Sequence, residues 1–157
     1  MSIEVNASVT TRGTPDAVFA EAAGKVENLA RFFTGYGGVI PGIREARLEG
    51  DGVMRAGALR RVQLSDGSVI KERILRFEPP QVHAYDMAEM NTLQKLLCTN
   101  MESTWRFSPA EGGTRIDWHY RIDPRGLLVR PLCVVVAKLF ERAMQRCLNH
   151  IAAAFRA

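Results

Sequence analysis

Two opposite charges stand among apolar side chains at positions 60 and 72. Between Leu59 and Ile74 the even positions hold Val62, Leu64, Ile70 and Ile74, with Arg60 and Glu72 among them. The odd positions hold Arg61, Gln63, Lys71 and Arg73. Side chains alternate across a strand, so the even set shares the face turned away from water. Arg60 and Glu72 fall on that face together if the turn at Ser65-Asp66-Gly67 is an odd-length loop or carries a bulge; a two-residue loop would pair Arg61 with Glu72 instead. A guanidinium and a carboxylate facing a core must be paired or serve a ligand, because an unpaired buried charge is costly. Two kinds of chemistry are open to them. Arg60 can anchor an acidic or carbonyl oxygen, and Glu72 can orient Arg60 or carry a proton. The alternative is a structural ion pair that shapes a pocket floor.

The aromatic residues follow the same period. Trp105 and Phe107, then Trp118 and Tyr120 with Ile116 and Ile122, lie two apart on what read as the last two strands. They form either a flat wall for a ring or long chain, or ordinary core packing. His83 and Tyr85 share parity with Met87, and a histidine beside a tyrosine in a pocket could transfer protons. With no partner carboxylate visible near it, His83 reads first as a half-exposed strand residue. The candidate catalytic set is therefore Glu72, Tyr85 and His83. His119 should point outward with Asp117 and Arg121, and His150 reads as polar surface near the end of the last helix. Phe33 and Tyr36, beside Gly35, Gly37 and Gly38, are either a gate or a plain turn. No Ser-His-Asp order, glycine-rich phosphate loop or metal-ligand spacing is present, which argues against hydrolase, kinase and metalloenzyme chemistry. No cofactor and no metal is expected.

The elements that would position these residues are legible in outline. Ile3, Val5, Ala7 and Val9 alternate with polar residues, as in a half-buried strand. Thr14-Pro15-Asp16 starts a helix that ends near Gly24, and a second short helix covers Val26 to Phe33. Strands follow at Ile43–Glu49, Met54–Leu64, Val69–Phe77, Gln81–Met90, Asn100–Phe107 and Thr114–Ile122, separated by turn formers. Asn91 to Leu97 reads as a loop or one helical turn. After Pro124-Arg125-Gly126, Leu132, Val136, Leu139, Ala143, Cys147, Ile151 and Phe155 recur at helical spacing. The sheet must bury one face and this helix one stripe, so the helix should cross the sheet's concave side. A curved sheet cannot meet a straight helix everywhere, which leaves a pocket with Leu139 and Ala143 on its helical wall.

The 157 residues, 46% hydrophobic and 24% charged, suit one domain, 1–157, with a core that needs no staple. A net charge of +4 without clustered cations argues against nucleic acid as a partner. Cys98, Cys133 and Cys147 read as reduced core thiols, which suits a cytoplasmic protein. Met1 to Thr11 does not read as a signal peptide. Leu127 to Phe140 is interrupted by Arg130, Pro131 and Lys138, too short and charged to span a bilayer. That stretch, with Arg125 and Val134, leaves open transient contact with an anionic membrane, cover over the pocket mouth, or a homodimer contact.

Four segments in order carry a resemblance to a known family. They are the opening strand with Thr14-Pro15-Asp16-Ala17-Val18-Phe19; Gly57-Ala58-Leu59-Arg60 with Leu64-Ser65-Asp66-Gly67 and Glu72-Arg73-Ile74; Trp105-Arg106-Phe107 with Gly113-Thr114-Arg115-Ile116-Asp117-Trp118; and the C-terminal helix. Together they resemble the START-like helix-grip (SRPBCC) superfamily in its polyketide cyclase/dehydrase branch. The resemblance implies an α+β fold: a curved antiparallel sheet of about seven strands wrapped around a long C-terminal helix, with two short helices after the first strand. It also implies a cavity for a lipid, polyketide or other apolar molecule. Some members of that family are cyclases or aromatases and others only carry ligand. The expected function is therefore binding or transport of an apolar small molecule. A cyclase, aromatase or dehydrase-type enzyme is the alternative, and a protein-interaction module a second one.

Overall fold

The computed structural model describes residues 1–156. Strand β1 (Ile3–Thr11) turns Ile3, Val5 and Ala7 inward. The Thr14 hydroxyl then accepts a hydrogen bond from the Ala17 amide at 3.2 Å and Pro15 takes the first helical position, which starts α1 (Pro15–Phe19). The chain continues as a π-helical turn, Ala20–Gly24, and a 3₁₀ turn, Val26–Asn28, leads into α2 (Leu29–Phe32). Both short helices are therefore present, each made of unlike turns.

Strands β2 (Ile43–Leu48), β3 (Leu59–Leu64), β4 (Val69–Glu78) and β5 (Val82–Glu89) follow. Next come α3 (Thr92–Leu97), β6 (Cys98–Ala110), β7 (Gly113–Pro124) and the long α4 (Arg130–Ala154). The seven strands form one sheet in the order β1-β7-β6-β5-β4-β3-β2, each pair antiparallel. This is the α+β helix-grip arrangement.

Strand ends differ from the sequence reading by one to three residues in several places, and two segments differ more. The expected strand from Met54 begins only at Leu59: Gly57, at φ +91°, bends the chain where its amide and the Ala58 carbonyl first bond to Ile74, at 2.8 and 2.9 Å, and the residues before it form no strand. The ambiguous segment before β6 is a helix, held by a reciprocal cap. The Asn91 side chain accepts from the Gln94 amide at 2.9 Å, and the Gln94 side chain accepts from the Asn91 amide at 3.1 Å.

The buried stripe of α4 keeps Ala143, Cys147 and Ile151 where the sequence reading put them, but its first half is shifted. Its buried residues are Cys133, Ala137, Ala143, Met144, Cys147, Leu148 and Ile151, whereas Leu132 is exposed and Leu139 half-buried. The cause is the free edge of β1, whose backbone groups need partners. Glu141 accepts from the Asn6 amide at 2.9 Å, and Gln145 donates to the Ser8 carbonyl at 2.9 Å. Holding 141 and 145 on that edge fixes which side of α4 faces the sheet. The helix lies close to β1 and β7 and stands back from β2 to β5. That asymmetry opens the gap between sheet and helix.

Candidate functional site

The gap is a cavity of about 220 Å³. Its walls come from the inner faces of β3 to β7 and the start of β2, from α3 and α4, and from Leu29 of α2 with Phe33 and Val39–Pro41 after it. The lining is mostly apolar, with Arg60 and Glu72 set into it.

The chain reverses through a three-residue loop, Ser65–Gly67, closed by the Leu64 amide donating to the Ser68 carbonyl at 2.8 Å. This odd-length loop places Arg60 directly opposite Glu72 in the β3–β4 register. Arg60 Nε donates to Glu72 Oε1 at 2.9 Å, and Nη2 lies 2.8 Å from the same oxygen. Arg60 is 1% exposed and Glu72 is also buried. Burial is the largest single influence and opposes the guanidinium charge, but Glu72, with smaller contributions from Tyr85 and Tyr120, holds the Arg60 pKa above its ordinary value. The guanidinium also lies over the Tyr85 ring, 4.6 Å from its centroid.

His83 is not half-exposed, as its sequence context suggested, but buried. Phe77 packs edge-on against it at 5.8 Å, and Arg60 Nη1 lies 3.3 Å from its Nε2. A guanidinium only donates, so Nε2 must accept and the ring proton belongs on Nδ1. Burial, then the Arg60 charge, lowers the His83 pKa to about 3. His83 is thus a neutral support behind Arg60 and does not line the cavity.

A pH dependence follows. The unfolded chain takes up this proton near pH 6.5 and the folded chain only near 3, so stability falls as pH drops through that window. Between pH 6.5 and 5 the loss should be about 2 kcal/mol. His83→Gln keeps an acceptor for Arg60 and should remove that slope. Thermal melts of both proteins at pH 7, 6 and 5 check this; parallel curves would assign the slope elsewhere.

The aromatic row is continuous. Trp105 stacks on Trp118 with centroids 4.1 Å apart, and Tyr120 meets Phe140 of α4 edge-on at 4.8 Å. Trp118 Nε1 donates to the Ser103 hydroxyl at 2.8 Å, whereas Trp105 Nε1 is buried without a hydrogen-bond partner. Burial, then the Glu72 charge, raises the Tyr85 pKa to about 12; burial, then Tyr85, lifts Tyr120 well above its ordinary value. Both remain phenols at neutral pH.

Arg60, Glu72, Tyr85, Trp105, Trp118 and Tyr120 thus meet at one cavity. Three other expected lining residues do not. Phe107 lies at the end of the row against Phe19, at 4.9 Å. Leu139 is half-buried and Ala143 fully buried in the packing of α4, but neither lines the cavity; Val136, Ala137, Phe140 and Cys147 form its helical wall. The expected gate divides. Phe33 is buried wall, 6.2 Å from Trp118 and 5.9 Å from Phe140. Tyr36 lies outside the cavity beneath Arg142, in a turn closed by its own amide bonding the Ile40 carbonyl at 2.9 Å. His150, expected at the surface, has its Nδ1 3.0 Å from the Phe32 carbonyl and ties α2 to α4. Lining residues missed in the sequence include Leu93, Gln94 and Leu97 of α3; Ser103, which shares parity with Trp105, was missed as the acceptor for Trp118 Nε1. All three cysteines line the cavity, and burial raises each thiol, Cys98 to about 11. They are soft apolar lining and not nucleophiles.

A family model described as polyketide cyclase/dehydrase and lipid transport matches residues 2–156. No curated protein matches the sequence significantly. Among solved structures, the chain is similar to ginseng major latex-like protein 151 from Panax ginseng, with 10% identity, TM-score 0.76, and 100% and 99% of the two chains covered. It is also similar to the di-domain ARO/CYC StfQ from the steffimycin biosynthetic pathway, with 11% identity and TM-score 0.74, covering 98% of this chain and 50% of that one. The di-domain ARO/CYC BexL from the BE-7585A biosynthetic pathway gives 14% identity and TM-score 0.74, with 99% and 50% covered. At these identities the structural likeness establishes the fold alone.

Proposed function

The chain belongs to the polyketide cyclase/dehydrase and lipid-transport family, and we propose that it binds and carries a small molecule with a largely apolar body and one hydrogen-bond-accepting oxygen, a carbonyl or carboxylate. The observation that supports this most is a buried Arg60–Glu72 pair in the wall of an otherwise apolar cavity. The pair is electrically balanced, and two bonds to one carboxylate oxygen plus one to His83 leave the guanidinium with further N–H groups to donate. The partnerless Trp105 N–H stands on the same cavity wall. An acceptor oxygen placed there gains charge-assisted bonds that no hydrocarbon could make. The apolar lining takes the remainder of the ligand.

Native mass spectrometry of the freshly purified protein, with extraction of anything bound, tests this first. A fatty acid, aromatic polyketide or similar oxygen-headed molecule is expected. Trp105→Phe keeps the stack and removes the N–H, so it should weaken binding of such a ligand about 5–10-fold. Failure to bind a panel of fatty acids and aromatic polyketides would remove the carrier reading.

One observation favours an enzymatic second reading. Both Arg60 contacts fall on Glu72 Oε1, leaving Oε2 free of Arg60. A carboxylate oxygen beside an enclosed ligand can accept a proton, the role a cyclase or dehydrase would need. His83, shut behind Arg60, is not a candidate for that role. Recovery of a chemically altered ligand, lost in Glu72→Gln while binding persists, would favour this reading over simple carriage.

A further inference from the structure

We propose that the end of the molecule formed by α3 and the start of α4 is a docking face for an anionic lipid bilayer. The proposal rests on the carrier reading for its purpose, since ligand could then pass between bilayer and cavity without crossing water, but its physical basis is separate. Leu127 and Leu128 are 87% and 98% exposed, and Leu93, Leu96, Leu132 and Val135 are also exposed. Folding gains nothing from such side chains left in water, and clustered exposed leucines mark a contact surface.

Three bonds hold the two segments side by side. The Arg125 amide donates to the Leu97 carbonyl at 2.9 Å, Arg125 Nε to the Lys95 carbonyl at 2.6 Å, and Cys133 Sγ to the Leu97 carbonyl at 3.1 Å. Leu93 also lines the cavity, so this end adjoins its mouth. Among the described residues no helix is long and apolar enough to cross a membrane, so the face would rest on a bilayer and not span it.

Charge selects the occupant. Residues 92–97 and 125–140 contain Lys95, Arg125, Arg130 and Lys138 and no aspartate or glutamate. Lys138 lies 3.8 Å from Glu141, but among the described residues Lys95, Arg125 and Arg130 pair with no carboxylate. Exposed leucines interleaved with unpaired cations match an anionic headgroup layer over an acyl region. A second copy of this face would bring the same cations against one another.

Co-sedimentation with vesicles tests the proposal on the unliganded protein. Vesicles of equal phosphatidylcholine and phosphatidylserine should bind it, pure phosphatidylcholine should bind it at least about 10-fold less, and added salt should release it. Leu127→Ser with Leu128→Ser should reduce binding more than about 10-fold with an unchanged melting temperature, because neither side chain is packed. Lys95→Gln with Arg130→Gln should reduce binding to the anionic vesicles alone, and serves as the second variant if the first alters folding. Equal binding to both vesicle types, or binding indifferent to both variants, would overturn the proposal. So would a wild-type dimer in solution that the serine variant disperses. Ligand titration without vesicles is scored separately. Vesicle binding without ligand binding would keep the docking face and remove the carrier reading; the reverse result would do the opposite.

Discussion

Glu72→Leu should lower the unfolding free energy by about 3–5 kcal/mol, because it leaves a buried guanidinium without its counter-charge. Arg60 would keep only His83 Nε2 as a neutral acceptor, and at 1% exposure water cannot replace the lost carboxylate. Adding Arg60→Met to that variant should recover most of the loss. Two apolar side chains of similar size cost nothing in desolvation, and replaced buried pairs are often neutral or stabilising. Only His83 Nε2 then loses a partner, at about 1 kcal/mol. Denaturant unfolding of the three proteins measures this. If Glu72→Leu were as stable as the wild type, the pair would not be what holds Arg60 in the wall. The double variant also separates stability from recognition. It should still admit a hydrocarbon and should lose its preference for ligands bearing a carbonyl or carboxylate. A stable double variant with undiminished affinity for a fatty acid would place the polar end of the ligand elsewhere.

Trp118→Ala should cost a similar amount, about 3–5 kcal/mol. Trp118 is 3% exposed, stacks on Trp105 at 4.1 Å, packs against Phe33 and holds the Ser103 hydroxyl. Truncation removes all of these contacts and joins the vacated volume to the existing cavity, which the surrounding sheet cannot close. Set against a typical net stability of about 5–15 kcal/mol, such a loss is a large fraction of the whole. Trp118→Phe should cost about 1–2 kcal/mol, mainly from the buried Ser103 hydroxyl left without its donor. Equilibrium unfolding gives both values. In the alanine variant bulkier aromatic ligands should gain affinity relative to slender ones. A cost below about 1 kcal/mol would show that the wall yields easily around this ring.

The docking face and the cavity bear on each other. Leu93 belongs to both, and α3 exists because Asn91 and Gln94 cap it reciprocally. That cap was present in the sequence as an Asn followed three residues later by Gln. The placement of α3 over the cavity was not readable there, since it depends on the bonds from Arg125 and Cys133 to its last turn.

Period-2 alternation turned Trp105, Trp118 and Tyr120 inward, and Arg60 and Glu72 with them once the loop at Ser65–Gly67 proved odd in length, and the turn formers were enough to order an antiparallel sheet. These are relations between near neighbours in the chain, governed by backbone geometry and the exclusion of apolar side chains from water. The fate of His83 was not of that kind. Its partner Arg60 lies 23 residues away, and a register shift between Ile74 and Arg76 intervenes on the strand that pairs with it. The flank of α4 that meets the sheet was undetermined in the same way. Ala143, Cys147 and Ile151 are flanked by Leu132 and Leu139 on one side and by Cys133, Ala137 and Met144 on the other, so helical periodicity cannot choose which flank is covered. The choice was made by Glu141 and Gln145 meeting the open edge of β1, across 135 and 137 residues of chain. The same contacts drew α4 toward β1 and β7 and left the cavity on the far side. Local patterning thus specified which residues face inward, whereas the space they enclose depends on long-range edge bonding that no window of sequence contains.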